Sequence, residues 1–534
     1  MSSEDRATVL PISGKRLGMR RRCVGALVSC FVASCFIAWG AAQVFAQGAL
    51  SPRPPAQDPA KPETKQTPAD GQQEGAQVHT GVTSGLDTEA RLQNLLADHE
   101  FLRIEAQLDR MPADEAQFYR GILANRKNDL KASAALLEPL ADKIAATGAP
   151  GPEKLGQEKL LRKALAEDYL RLGDWAKAAK AYKTLETRVG SQLTADEQDE
   201  LELPVKLLPL AAKNDPMTVD PYDPFGLPVN RNLLGLLDIP VFVDARPHSW
   251  MLEPTAPFNL IARSLAQEAG LTVSDAAVTI HTLTGRPMQV HMTVIPRFTI
   301  GGAITFHDMT AFVFEDSDYA FKQTHYQVQG VLGYPAVAAL GSLTITDNAM
   351  IEVRPPATGA KDEANFHSDP GAQFFFDGDQ MVVAMNNAPA AGVVAAGDAT
   401  SGGGAAAEKA AKAGEAASTG DVRMFVLDAS GQQTYLTSRY YEEHASDFTG
   451  QKMEMFTLPA SPNTPAQPAY TAETVNLAFG PTVVAVHYIP VLTQPVGDAA
   501  LDDVYGVLGL DALDQLASYT FDFKAMTLSV RNRE

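Results

Sequence analysis

Three landmarks recur in the C-terminal part of this chain at nearly constant spacing. The first is an apolar run ending on an acid, Trp250-Met251-Leu252-Glu253 and Met424-Phe425-Val426-Leu427-Asp428. The second is Gly330-Val331-Leu332-Gly333, matched by Gly506-Val507-Leu508-Gly509. The third is an alternating segment around a methionine, Thr344 to Ile351 and Tyr519 to Val530, which reads as a closing hairpin. Glu253 lies 80 positions before Gly333, and Asp428 lies 81 before Gly509. From that glycine to Met350 or Met526 is 17 positions in both copies. A register held across three landmarks marks an internal duplication. Two β-rich lobes related by a pseudo-twofold axis are expected, at residues 230–355 and 373–534.

The run into Asp428 is followed by Ala429-Ser430-Gly431 and then an apolar-polar alternation to Leu436. Apolar and β-branched residues flanking small turn formers read as strand, tight turn, strand. The segment resembles the catalytic segment of pepsin-like and retropepsin-like aspartic proteases, in which a strand delivers Asp-Thr/Ser-Gly. Gly506 to Gly509 is similar to the strand behind the active-site loop in that family. The resemblance implies a cleft between the lobes, with Asp428 and Glu253 as the catalytic acids and no cofactor or metal. One carboxylate would act as base toward a water while the other polarises the peptide carbonyl. Thr255, Ser430 and Gly431 then fall at substrate-binding turn positions, and Thr284-Gly285 at the tip of a flap. The implied ligand is a peptide or unfolded protein segment.

The motifs depart from the family pattern in both halves. Ala429 removes the hydroxyl that ties the two loops together, and Ser430 stands where glycine belongs. In the first copy Glu253 replaces aspartate, Pro254 supplies neither hydroxyl nor N–H, and Thr255 takes the glycine position. The extra methylene moves the carboxyl by roughly 1.5 Å. Misplacement of about 1 Å costs on the order of a hundredfold in rate. These departures point to weak or absent hydrolysis. An active endopeptidase using Asp428 and Glu253, and a helical-repeat scaffold of the cell envelope, are the alternatives.

The rest of the chain reads as export apparatus and a helical domain. Lys15, Arg16 and Arg20-Arg21-Arg22 precede an apolar run, and small residues near Ala46 suit cleavage. Residues 1–46 are therefore expected to be a secretory signal, or an uncleaved membrane anchor, which directs the chain to the periplasm, envelope or exterior. Residues 47–85 are rich in Pro, Gln, Gly and Ala and read as a disordered linker. All three cysteines lie within the leader, so nothing beyond it can use thiol chemistry.

Residues 86–213 carry apolar residues at helical spacing. The run Ala164 to Tyr182, with Gly173-Asp174 as its turn, is similar to a tetratricopeptide repeat, which implies a protein partner or a bracing role. Residues 389–420 are Ala/Gly-rich and read as a disordered insertion within a β-hairpin. The net charge is −20, and removing a leader of net +4 leaves −24, which argues against nucleic acid as a partner. No histidine spacing suits a metal. The expected fold class is multidomain: an all-β two-lobed aspartic-protease-like barrel domain preceded by an α-helical repeat domain.

Overall fold

The computed structural model describes residues 85–146, 152–233, 235–281, 287–321, 326–356, 371–378, 380–387, 422–429, 433–457, 466–496, 501 and 503–533. The expected leader and most of the linker lie outside these residues, as does the 389–420 insertion. Residues 81–534 form one compact unit.

Seven helices come first: α1 (Gly85–Ala97), α2 (Phe101–Glu105), α3 (Ala113–Arg126), α4 (Leu130–Ala146), α5 (Pro152–Arg171), α6 (Trp175–Val189) and α7 (Ala195–Ala211). From α3 onward each helix packs on the next. Gly121 makes the α3–α4 approach possible, since a Cβ there would lie 2.4 Å from Leu137. Gly173, at φ +72°, closes the α5–α6 turn, and Asp174 caps α6 by accepting from the Lys177 N–H at 3.1 Å. Thr194 and Glu197 form a capping box at the start of α7.

The sheets follow. The first group is β1 (Thr218–Val219), β2 (Phe225–Pro228), β3 (Asn230–Arg231), β4 (Leu237–Val243), β5 (Arg246–Leu252), β6 (Leu260–Ala262), β7 (Val278–His281), β8 (Pro287–Ile300) and β9 (Ile304–Phe314). Then come β10 (Ala320–Phe321), β11 (Tyr326–Gln327), β12 (Gly330–Leu332), β13 (Ser342–Thr346) and β14 (Met350–Arg354). The later half holds β15 (Ala372–Asp377), β16 (Gln380–Asn387), β17 (Val422–Leu427), β18 (Tyr435–Leu436) and β19 (Glu454–Phe456). It closes with β20 (Gln467–Phe479), β21 (Thr482–Leu492), β22 (Gly506–Leu508), β23 (Leu516–Asp522) and β24 (Thr527–Asn532).

One pairing scheme occurs in both halves. Hairpin β4–β5 corresponds to β16–β17, and β5 runs parallel to β12 as β17 does to β22. Strand β12 is antiparallel to β6, and β22 to β18. Strands β6 and β18 then run parallel to β9 and β21, the second strands of the long hairpins β8–β9 and β20–β21. The closing hairpins join the halves, because Ser342–Thr346 pairs antiparallel with Ser518–Asp522.

Residues 214–229, a segment broken by prolines, contribute two short strands. Strand β1 pairs with β9 and β2 with β14. Both lie at sheet ends, where a proline costs no ladder hydrogen bond.

The helices are docked on the second half. Strands β15 to β17 are apolar on both faces. Phe374, Phe376, Met381, Val383, Phe425 and Leu427 enter the main sheet core. Their neighbours Phe375, Val382, Ala384, Met424 and Val426 enter a second core with Leu92, Phe101, Ile122, Leu137 and Leu161 of the helices. The rings of Phe101 and Phe375 lie 5.0 Å apart.

Polar groups join at the same boundary. Asp377 lies 2.7 Å from Arg126 Nη2 and 2.9 Å from His99 Nδ1, and Arg126 Nη1 lies 3.3 Å from Glu167. Burial works against the Asp377 carboxylate, but Arg126 and then His99 outweigh it and hold it well below the usual range.

Beside this cluster Asp168 is fully buried and accepts from Asn125 Nδ2 at 2.8 Å. Burial pushes its carboxyl up to about 6. An acid with a raised folded value binds a proton in the folded state that the unfolded chain has already lost. Stability from this site is therefore greatest below about pH 4 and falls as pH rises through 6, by about 3 kcal/mol in all. Urea unfolding of Asp168→Asn should lack this fall, so its stability relative to wild type should improve from pH 4 to pH 6.5. Parallel pH profiles for the two proteins would contradict the assignment.

Candidate active site

Each acid sits one residue beyond a strand whose parallel neighbour holds its backbone. The Glu253 N–H donates to Leu332 O at 3.0 Å, and the Asp428 N–H donates to Leu508 O at 2.9 Å. The glycines of the two Gly-Val-Leu-Gly segments are needed for space. A Cβ on Gly330 would lie 2.3 Å from the Trp250 ring, and one on Gly506 would lie 2.7 Å from Tyr435 O. A Cβ on Gly333 would lie 2.2 Å from Phe258 O, within the loop that follows Glu253.

Two residues absent from the sequence-based site complete the loops. The Gly333 N–H donates to Asn259 Oδ1 at 3.0 Å, and Asn259 Nδ2 donates to Thr310 O at 3.2 Å. In the other half the Gly509 N–H donates to Thr434 Oγ1 at 2.9 Å, while the Thr434 hydroxyl donates to Asp511 Oδ1 at 2.5 Å. Asn259 and Thr434 each stand six positions after their acid, a spacing visible in the sequence. Their signal was an ordinary polar residue inside an apolar alternation.

The two acids differ in setting. Glu253 is 1% exposed, and its Oε1 accepts from the Thr255 hydroxyl and from the Thr255 N–H at 3.3 Å. Thr255, expected to face substrate, is thus turned onto the acid. Asp428 is half-buried, with Ala429 buried beside it. Burial, helped by Asp514 and Glu253, holds the Tyr519 phenol above its usual range. Ser430, Gly431, Thr284 and Gly285 lie outside the described residues.

Glu253 and Asp428 line one cavity of about 1420 Å³, together with Thr255, Val331 and Val507. Its lining also includes residues of the helices, among them Lys163, Arg171 and Trp175. The β7–β8 hairpin, which carries the expected flap turn, is packed against α7. Leu203, Leu207 and Ala211 on one face of α7 share a core with Val278, Met288 and Val290. Its Leu201 and Leu208 enter a separate helical core. No group of His, Cys, Asp and Glu suited to a metal ion occurs among the described residues.

Residues 239–336 match the family model described as Aspartyl protease. The sheet around Glu253 is aspartic-protease-like. The match includes Glu253 and ends before the second half. No curated protein matches the chain. Among solved structures, basic 7S globulin from soybean is 12% identical, covers 58% of this chain and 96% of its own, and has a TM-score of 0.33. Conglutin gamma, a basic 7S globulin from lupine seeds, is 10% identical, covers 59% and 96%, and has a TM-score of 0.36. A retropepsin-like aspartic protease from Rickettsia conorii is 17% identical, covers 24% and 98%, and has a TM-score of 0.19.

Thr434 is 1% exposed, and its side chain joins two groups of this loop, the Gly509 N–H and Asp511 Oδ1, the second of which also accepts from the Thr434 N–H. Thr434→Val should therefore cost about 2 kcal/mol, the order expected for stranding buried partners of a charge-assisted bond. Thermal or urea unfolding measures it. A loss below about 0.5 kcal/mol would contradict the role given to this side chain.

Proposed function

We propose that this chain is an exported, two-lobed aspartic-protease-like protein that holds an extended peptide in its cleft and hydrolyses it weakly or not at all. The reading rests on one observation above all: the two acids, carried by equivalent strand ends, line a single cavity. A paired carboxylate site is what peptide hydrolysis by this route requires. Low activity follows from what surrounds the pair. Glu253 is a longer side chain with Oε1 committed to Thr255. Ala429 brings no hydroxyl to the opposite loop. The family match covers only the first half, so the role of Asp428 is part of the proposal. The helical segment, read as tetratricopeptide-like, braces the sheet, since one of its apolar faces is spent on β15–β17.

Residues 47–534 are to be assayed on unfolded protein across pH 3–7, with binding of a labelled random decapeptide pool measured in parallel. The expected result is peptide binding, lost in Asp428→Arg, with cleavage at least a hundredfold below that of an efficient aspartic protease. Pepstatin-sensitive cleavage with an acidic optimum and high turnover, abolished in Asp428→Asn, would establish the active endopeptidase instead. Failure of the wild type to bind any peptide would overturn the proposal.

A further inference from the structure

We infer that the α5–α6 turn forms a wall of the cleft and gives it a subsite for a bulky apolar side chain of the bound peptide. The inference rests on the peptide-binding reading above. Arg171, Leu172, Gly173 and Trp175 all border the cavity that holds Glu253 and Asp428. The turn is also linked to the Glu253 loop through hydrogen bonds. Arg171 Nη1 donates to Asn128 Oδ1 at 3.3 Å, and Asn128 Nδ2 donates to the Tyr334 hydroxyl at 2.9 Å. The Tyr334 N–H then donates to Ala256 O at 2.8 Å, three residues after Glu253.

The chemistry of the subsite follows from which groups of the turn are already committed. The Arg171 guanidinium lies over the Phe376 ring at 5.1 Å and 4.0 Å from Glu167, with its side chain 8% exposed. The Asp174 carboxylate caps α6 and lies 3.6 Å from Lys177. The Arg171 charge is thus buried away from the cavity solvent, and that of Asp174 is held by Lys177 and the α6 amide. Leu172 and Trp175 are the apolar side chains that the turn adds to the cavity lining. Leu172 is 39% exposed and belongs to none of the three cores. Trp175 is packed against both the main and a helical core, so its ring is a fixed surface. Nothing beyond its chain neighbours lies within 4 Å of a Cβ built on Gly173, so the space beside this turn residue is open. Phe258, on the Glu253 loop, borders the same space.

A lone exposed leucine on a convex surface needs no explanation. In a concave site that also holds Glu253 and Asp428, a patch of apolar surface selects an apolar ligand side chain. Covering a leucine-sized surface gives about a tenfold gain in affinity or more.

The test uses residues 47–534 and sets of labelled decapeptides that differ at one position by Leu, Phe, Ala, Asp or Lys. Wild type should bind the best Leu or Phe set about tenfold tighter than the matching Ala and Asp sets. Leu172→Asp should remove that preference and turn it toward Lys. Leu172→Gln, nearly isosteric and uncharged, should also lose the apolar preference, which keeps the test decisive if the charged variant folds poorly by circular dichroism. Unchanged preferences in variants that still bind would overturn the subsite while leaving the function standing. No binding by wild type would overturn the function and this inference with it.

Discussion

The strands β15, β16 and β17 have apolar side chains on both faces, and that constraint shapes everything around them. A sheet with one wet face alternates apolar and polar residues, as β14 does: Ile351 and Val353 are buried while Glu352 and Arg354 are exposed. Phe374-Phe375-Phe376 and Met381-Val382-Val383-Ala384-Met385 allow no such face. Their second set of side chains requires a cover, and helices α1 to α5 supply it. The Asp377 cluster then fixes the register of that cover, because its carboxylate meets both Arg126 and His99. A buried ion pair of this kind contributes more to geometry than to net stability.

Once the helices are fixed on the second half, α7 reaches the first. One face packs on β7 and β8 and the other on the helical core. The helical segment therefore spans both halves on the side where Glu253 and Asp428 line the cavity. In this arrangement the α5–α6 turn is part of the cleft, and the hairpin expected to act as a flap is held from behind. The same rigidity places Asn259 and Thr434 behind the two Gly-Val-Leu-Gly segments, where each fixes a glycine amide.

Much of this was legible in the sequence, and the reasons are physical. The repeated acid, glycine and methionine spacings reflect strand lengths and loop closures that two equivalent halves must share. The α8 helix (Arg263–Glu268) and both closing hairpins follow from local periodicity. The strands at 218–219 and 225–228 were hidden because their pairing partners are remote and prolines lie between or within them. The docking of the helices was visible only indirectly. Continuous apolar runs report that both faces are buried, but not what buries them. The turn of Thr255 onto Glu253 depends on a side-chain rotamer, which no spacing rule carries.

The helices and sheets form one body around the cavity that Glu253 and Asp428 line. Thermal unfolding of residues 81–534, followed by far-ultraviolet circular dichroism at the helical minimum and by near-ultraviolet aromatic signals, tests it directly. One body with a shared core gives coincident transitions. The two signals should melt together at a single midpoint. Helical signal lost in an earlier, separate transition, with the aromatic signal intact, would contradict it.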